Sequence, residues 1–160
     1  HKPDEGEIIF ENQKIVQAYH FFDPTLLDRE LKAAEAMNKT SQRVLGLAEL
    51  KVNKGFSSTD VEEFLVKFSK FVRETEPGTY DFGYFISSDG KSVNLVEKYY
   101  TSSDFVAHLN NFENSDYSKE FMTLFTLNKV IIAGDASDEL KAKAKAYGAE
   151  LRPQIGGWIN

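Results

Sequence analysis

Between Val44 and Ala133 the apolar positions switch repeatedly between period two and helical spacing. The order spelled is strand, helix, strand, strand, helix, strand, which is the βαββαβ plan of a ferredoxin-like α+β sandwich. Val44 to Val52 carries apolar residues on both alternating sets, as a strand covered on both faces would. Thr59-Asp60-Val61-Glu62 reads as a capping box, after which Val61, Phe64, Leu65, Phe68 and Phe71 or Val72 recur at helical spacing. Glu76-Pro77-Gly78 stops that helix. Tyr80, Phe82, Tyr84 and Ile86 then alternate with Asp81, Gly83 and Phe85, and Asp89-Gly90 predicts a type I′ hairpin turn. The return strand, Ser92 to Tyr100, places Val93, Leu95, Glu97 and Tyr99 on one face. Thr101 and Asp104 open the next helix, whose apolar face holds Phe105, His108, Leu109 and Phe112. Asn114-Ser115-Asp116 interrupts it before Tyr117, Phe121 and Leu124, and Leu127 to Ala133 is the last strand.

Two extensions flank this plan. In residues 1–43, Ile8 to Phe22 reads as a hairpin around Glu11-Asn12-Gln13-Lys14, and Asp23-Pro24 starts a helix with Leu27, Leu31, Ala34 and Met37 as a buried stripe. Residues 44–134 form the ferredoxin-like domain. In residues 135–160, Asp135-Ala136-Ser137 opens an Ala/Lys-rich helix capped by Gly148, and the tail adds an edge strand, since Pro153 bars it from a central position.

Composition narrows the partners. The 160 residues suit one core with extensions, and the net charge of −6 provides no basic field for nucleic acid or an anionic membrane surface. No apolar run approaches the roughly 18 residues of a membrane helix. Without cysteine there is no disulfide, thiolate nucleophile or zinc-thiolate site. A cytoplasmic location is expected, with a removed signal peptide as the alternative for a chain that opens on His1. Aromatic residues reach 13%, which suits either a pocket for flat apolar ligands or simply a Phe-rich core.

No phosphate-binding loop, nucleophile elbow or metal-spaced histidine pair occurs. The histidines are His1, His20 and His108, and no metal is expected. His108 is the candidate proton carrier, because histidine titrates near neutrality; the competing reading is a satisfied core residue. Tyr99 and Glu97 share a strand face just before the helix of His108, and the three converge if that face meets the helices. Glu97 has alternative partners in Lys98, Lys51 or an Arg of another chain. Tyr80, Tyr84, Tyr99 and Tyr100 offer hydroxyls to a pocket, and Trp158 on its Gly-Gly tail closes a cavity or anchors a dimer.

Glu76-Pro77-Gly78, the Tyr80 to Ile86 strand, Val96-Glu97-Lys98-Tyr99 and Ala107-His108-Leu109 together resemble the antibiotic biosynthesis monooxygenase-like proteins of the dimeric α/β-barrel superfamily. The resemblance spans residues 44–133, with Tyr99 standing where Trp is commoner. It implies a homodimer in which two sheets meet as an α/β barrel, each with a cavity between sheet and helices. It also implies a cofactor-independent monooxygenase acting on a small aromatic or quinol-type substrate. His108 would be the base and Tyr99 the orienting donor, with Phe64, Phe68, Phe105 and Phe112 as the lining; the residues themselves, apart from the resemblance, add Tyr84, Glu97 and Trp158 as expected substrate-binding positions. No cofactor is expected: the haem-degrading branch needs an Asn, a Trp and a later His where this chain has Ala48, His108 and Ser118. The alternatives are a non-catalytic small-ligand-binding or structural dimer of the same fold, and a cofactor-free isomerase, decarboxylase or cyclase.

Overall fold

The structure, a computed structural model, describes residues 23–159. The hairpin expected at Ile8 to Phe22 lies outside the described residues. The chain separates into two units, His1–Asn38 and Lys39–Asn160. Helix α1 (Pro24–Ser41) starts as expected: Asp23 Oδ1 accepts from the Thr25 N–H at 2.8 Å. Of its expected buried stripe, Leu27 and Leu31 are instead 36% and 54% exposed, and Ala34 and Met37 lie outside the described side chains.

The second unit holds β1 (Val44–Val52), α2 (Ser58–Thr75), β2 (Thr79–Ile86), β3 (Ser92–Tyr99), α3 (Ser102–Glu113), α4 (Tyr117–Leu124), β4 (Phe125–Ala133), α5 (Asp138–Ala144) and β5 (Glu150–Arg152). The sheet order is β2-β3-β1-β4-β5. β1 pairs antiparallel with both β3 and β4, and β5 runs parallel to β4 at the edge. This is the ferredoxin-like α+β arrangement with one added strand.

The expectation of two covered faces on β1 is corrected. Val44, Leu50 and Val52 are buried against helices, whereas no element of the Lys39–Asn160 unit covers the face carrying Leu45 and Leu47. The buried face meets α2 through Val61, Phe64, Leu65, Phe68 and Val72. The Phe64 ring lies 5.8 Å from Phe68, 6.1 Å from Phe121 and 6.3 Å from Phe125, so one aromatic cluster ties α2, α4 and β4 together. Full burial of such a side chain is worth about 1.5–3 kcal/mol, so this stripe outweighs the cap in holding α2.

That cap also differs from expectation. Ser57, not Thr59, is the N-cap: its hydroxyl accepts from the Asp60 N–H at 3.2 Å and Asp60 Oδ2 accepts from the Ser57 N–H at 2.7 Å. The β2–β3 hairpin closes through Gly90 N–H onto the Ser87 carbonyl at 2.9 Å, in a loop longer than a type I′ turn, with Gly90 at φ 69°. Beyond β4, Ser137 caps α5, whose Leu140 and Ala144 are buried on Val44, Tyr99, Phe105 and Ile132.

Phe64→Ala is expected to lower stability by about 3–5 kcal/mol, against about 1 kcal/mol for Ser57→Ala, in denaturant titrations of both variants.

Candidate active site

Three elements deliver the ionisable groups. β3 turns Glu97 and Tyr99 toward the helices, in alternation with the half-exposed Lys98. α3 begins where Thr101 accepts from the Asp104 N–H at 3.2 Å, and this start sets His108 on the buried face with Phe105, Leu109 and Phe112. α2 ends at Glu76, whose N–H still reaches the Val72 carbonyl at 2.9 Å before Pro77.

Glu76 Oε2 accepts from His108 Nδ1 at 2.7 Å and from the Thr79 hydroxyl at 3.0 Å, while Oε1 accepts from Asn111 Nδ2 at 2.7 Å. An ionised carboxylate can only accept, so the proton of His108 nearest Glu76 sits on Nδ1. The other ring nitrogen, Nε2, lies 3.5 Å from Glu97 Oε2. That is an ion-pair contact, and no hydrogen-bond donor sits on Glu97 Oε2. All three side chains are buried.

Burial pushes Glu76 up, but the hydrogen bond and charge of His108, with Asn111 and Thr79, overcome it and hold the carboxyl below its ordinary value. Burial pulls His108 down, and the charge of Glu97 with the bond to Glu76 reverses this, leaving the imidazole above its ordinary value. For Glu97 burial wins over His108 and Tyr99, so its carboxyl is raised. Along the row, then, Glu76 gives up its proton more readily than an ordinary carboxyl, while His108 and Glu97 hold theirs more tightly than an ordinary imidazole and carboxyl.

Gly46 makes room for this row. It lies opposite Glu97 in the β1–β3 register, and a Cβ there would stand 2.3 Å from Glu97 Oε1 and 2.8 Å from Phe105 Cζ. Any larger residue would displace the carboxylate.

The row opens on a cavity of about 70 Å³ between sheet and helices. His108, Glu97 and Tyr84 line it, with Phe68, Phe105 and Phe112 among its apolar walls. The remaining expected site residues lie elsewhere. Phe64 belongs to the aromatic cluster with Phe121 and Phe125. Tyr99 is fully buried and stacked at 4.1 Å on Phe105, so it reaches the cavity only through its neighbours. Trp158 is 82% exposed and does not line this cavity. Tyr80 departs from its strand's alternation because the β2–β3 register shifts between Thr79 and Asp81; its ring stacks at 4.7 Å on Tyr100, under the Arg43 guanidinium.

Glu76 was read from sequence only as a helix stop. Its signal is an acidic residue at a helix C-terminus, where the dipole disfavours negative charge and only a local compensation makes it tolerable. Among the described residues, no group of three or more His, Asp or Glu side chains is arranged to hold a metal ion.

Glu76 contributes stability that is present above its ordinary value of 4.5 and is lost as pH falls through its lowered folded value. His108 contributes stability that is present below 6.5 and is lost as pH rises through its raised folded value. The melting temperature is therefore expected to decline on both sides of mildly acidic pH. His108→Ala, which strands two buried carboxylates, is expected to cost about 3–5 kcal/mol at neutral pH, read by denaturant titration.

No family model matches the chain, and no curated protein does. Its structure is similar to that of MupZ from Pseudomonas fluorescens, with TM-score 0.60 and 15% identity over 74% of this chain and 95% of that one. It is also similar to a variant of SnoaB, a cofactor-independent oxygenase from Streptomyces nogalater, with TM-score 0.50 and 13% identity over 57% of this chain and 90% of that one. Likeness at these identities is likeness of fold: the chain has the ferredoxin-like α+β fold that its sequence resemblance to the monooxygenase-like proteins implied.

Proposed function

We propose that the chain is a cofactor-independent monooxygenase-type enzyme for a small aromatic or quinol-type substrate, with His108 as its base. The observation that supports this reading is the buried Glu76–His108–Glu97 row opening on an apolar cavity, on a fold shared with an oxygenase that uses no cofactor. Glu76 holds the imidazole by Nδ1 and presents Nε2 to the substrate. Nε2 takes the phenolic proton; the electron-rich anion gives electrons to O₂ and forms a carbon–oxygen bond, and the peroxide anion so formed takes the proton back from Nε2, which regenerates the base. Loss of water from the resulting hydroperoxide leaves a quinone, so substrate is the reductant and O₂ the sole oxidant. Water exclusion by the aromatic walls favours each charge movement.

The base must be unprotonated at Nε2, so the rate rises with pH through a value above 6.5. Glu97→Gln removes the largest contribution holding that value up and is expected to shift the inflection downward. His108→Asn retains a donor near Glu76 and is expected to lower oxygen-consuming turnover by about 10²–10⁴-fold with the fold intact by near-ultraviolet circular dichroism. Wild-type rates in that variant refute the role of His108, and turnover without oxygen points instead to isomerase or cyclase chemistry.

The size of the cavity favours a second reading, a non-catalytic binder of a small ligand. Binding without turnover across a quinol panel would select it.

We also propose a homodimer through the sheet face that the Lys39–Asn160 unit leaves uncovered. Val96, Leu47 and Ile131 are neighbours across β3, β1 and β4 on that face, and Phe85 is 61% exposed. Native mass spectrometry is expected to show a dimer for the wild type and a monomer for Leu47→Lys.

A further inference from the structure

The polar end of the cavity is incompletely satisfied. Tyr84 OH, Tyr99 OH and Glu97 Oε2 are all buried without hydrogen-bond partners, and of the two hydroxyls only that of Tyr84 belongs to a residue lining the cavity. The other tyrosine in the lining, Tyr147, already donates its hydroxyl to Glu113 Oε1 at 2.8 Å, so its donor is taken. Burial, then the charges of Glu97 and Glu76, raise the Tyr84 hydroxyl well above its ordinary value, so it stays a donor near the carboxylate row at any physiological pH. A buried donor and acceptor left open beside a titrating imidazole call for one ligand oxygen that accepts from Tyr84 and gives its own proton to the row.

Volume sets the other limit. The cavity is about 70 Å³. A benzene ring occupies an apolar cavity of about 150 Å³. One ring therefore enters only if a wall yields. Met122 is the wall that can: it lines the cavity, is 47% exposed and has the flexible chain that adapts to a guest. The remaining walls include Phe68, Phe112 and Phe121, buried and interlocked, and Phe105, buried and stacked on Tyr99.

We infer that the site takes a single-ring phenol, its one buried hydroxyl accepting from Tyr84 and facing His108 Nε2, and that it excludes fused-ring substrates. This rests on the proposed site at His108 and narrows it to a substrate class; it does not depend on whether oxygen is used. Tyr84 is the specificity residue for the hydroxyl and Met122 for ring size.

The test is calorimetric binding under nitrogen of phenol, 4-methylphenol, toluene and 1-naphthol to the full chain, with aerobic oxygen uptake measured separately. Phenol and 4-methylphenol are expected to bind about ten-fold or more tighter than toluene and 1-naphthol. Tyr84→Phe is expected to weaken phenol about ten-fold without changing toluene, while the free variant melts no lower than wild type because it loses an unsatisfied buried hydroxyl. Met122→Ala is expected to admit 1-naphthol. Equal or tighter binding of 1-naphthol by the wild type, unchanged phenol affinity in Tyr84→Phe, or no phenol binding at all overturns the inference. Phenol binding without oxygen uptake sustains it and overturns the monooxygenase reading; uptake with fused-ring quinols alone does the reverse.

Discussion

The 2.7 Å bond between His108 Nδ1 and Glu76 Oε2 is the contact on which the interior depends. It joins the end of α2 to the middle of α3 across the upper layer of the sandwich, and it does so with charge in a place where water cannot help. An unpaired carboxylate at either end of the row would carry several kcal/mol of desolvation. One imidazole relieves both, through a hydrogen bond on one side and an ion-pair contact on the other. The geometry that makes the buried carboxylates tolerable also fixes which ring nitrogen turns to Glu76 and which to Glu97, so structural and chemical demands fall on the same ring.

Around that contact the chain is built to keep carbon everywhere else. The aromatic cluster of α2, α4 and β4 lies to one side, and the smaller cluster of Val44, Tyr99, Phe105 and Leu140 to the other. The cavity sits where both run out. Asn111 and Thr79 complete the set of donors on Glu76, which leaves Glu97 as the carboxyl whose protonation is governed mainly by burial. Gly46 contributes by what it lacks, since the volume of its missing side chain is filled by Glu97.

The periodicity of the chain made most of the fold legible, because each core element has one buried face and a regular repeat reports it. The convergence of Glu97 and His108 was legible for the same reason: both fall on inward positions of adjoining elements. Glu76 was not, because its partner is 32 residues away, and an acid at a helix C-terminus signals that something compensates it without naming what. Tyr80 misled because alternation assumes an unbroken register, and one irregular pairing reverses a side chain's face. Trp158 does not line the cavity it was expected to close, because composition alone cannot supply a surface for a large apolar residue to cover.

The short parallel strand β5 has a consequence for solubility. A sheet offers its unpaired backbone groups at two margins, and each is a template for uncontrolled strand addition. β5 closes the margin beside β4 with three exposed residues, pairs Glu150 with Arg152, and is followed at once by Pro153, which cannot donate to a ladder. Among the described residues the opposite margin is the eight-residue β2, where Phe85 and Ile86 are exposed. Among the described residues, β2 is thus the margin that offers its backbone groups to an added strand, and the β5 side is the closed one.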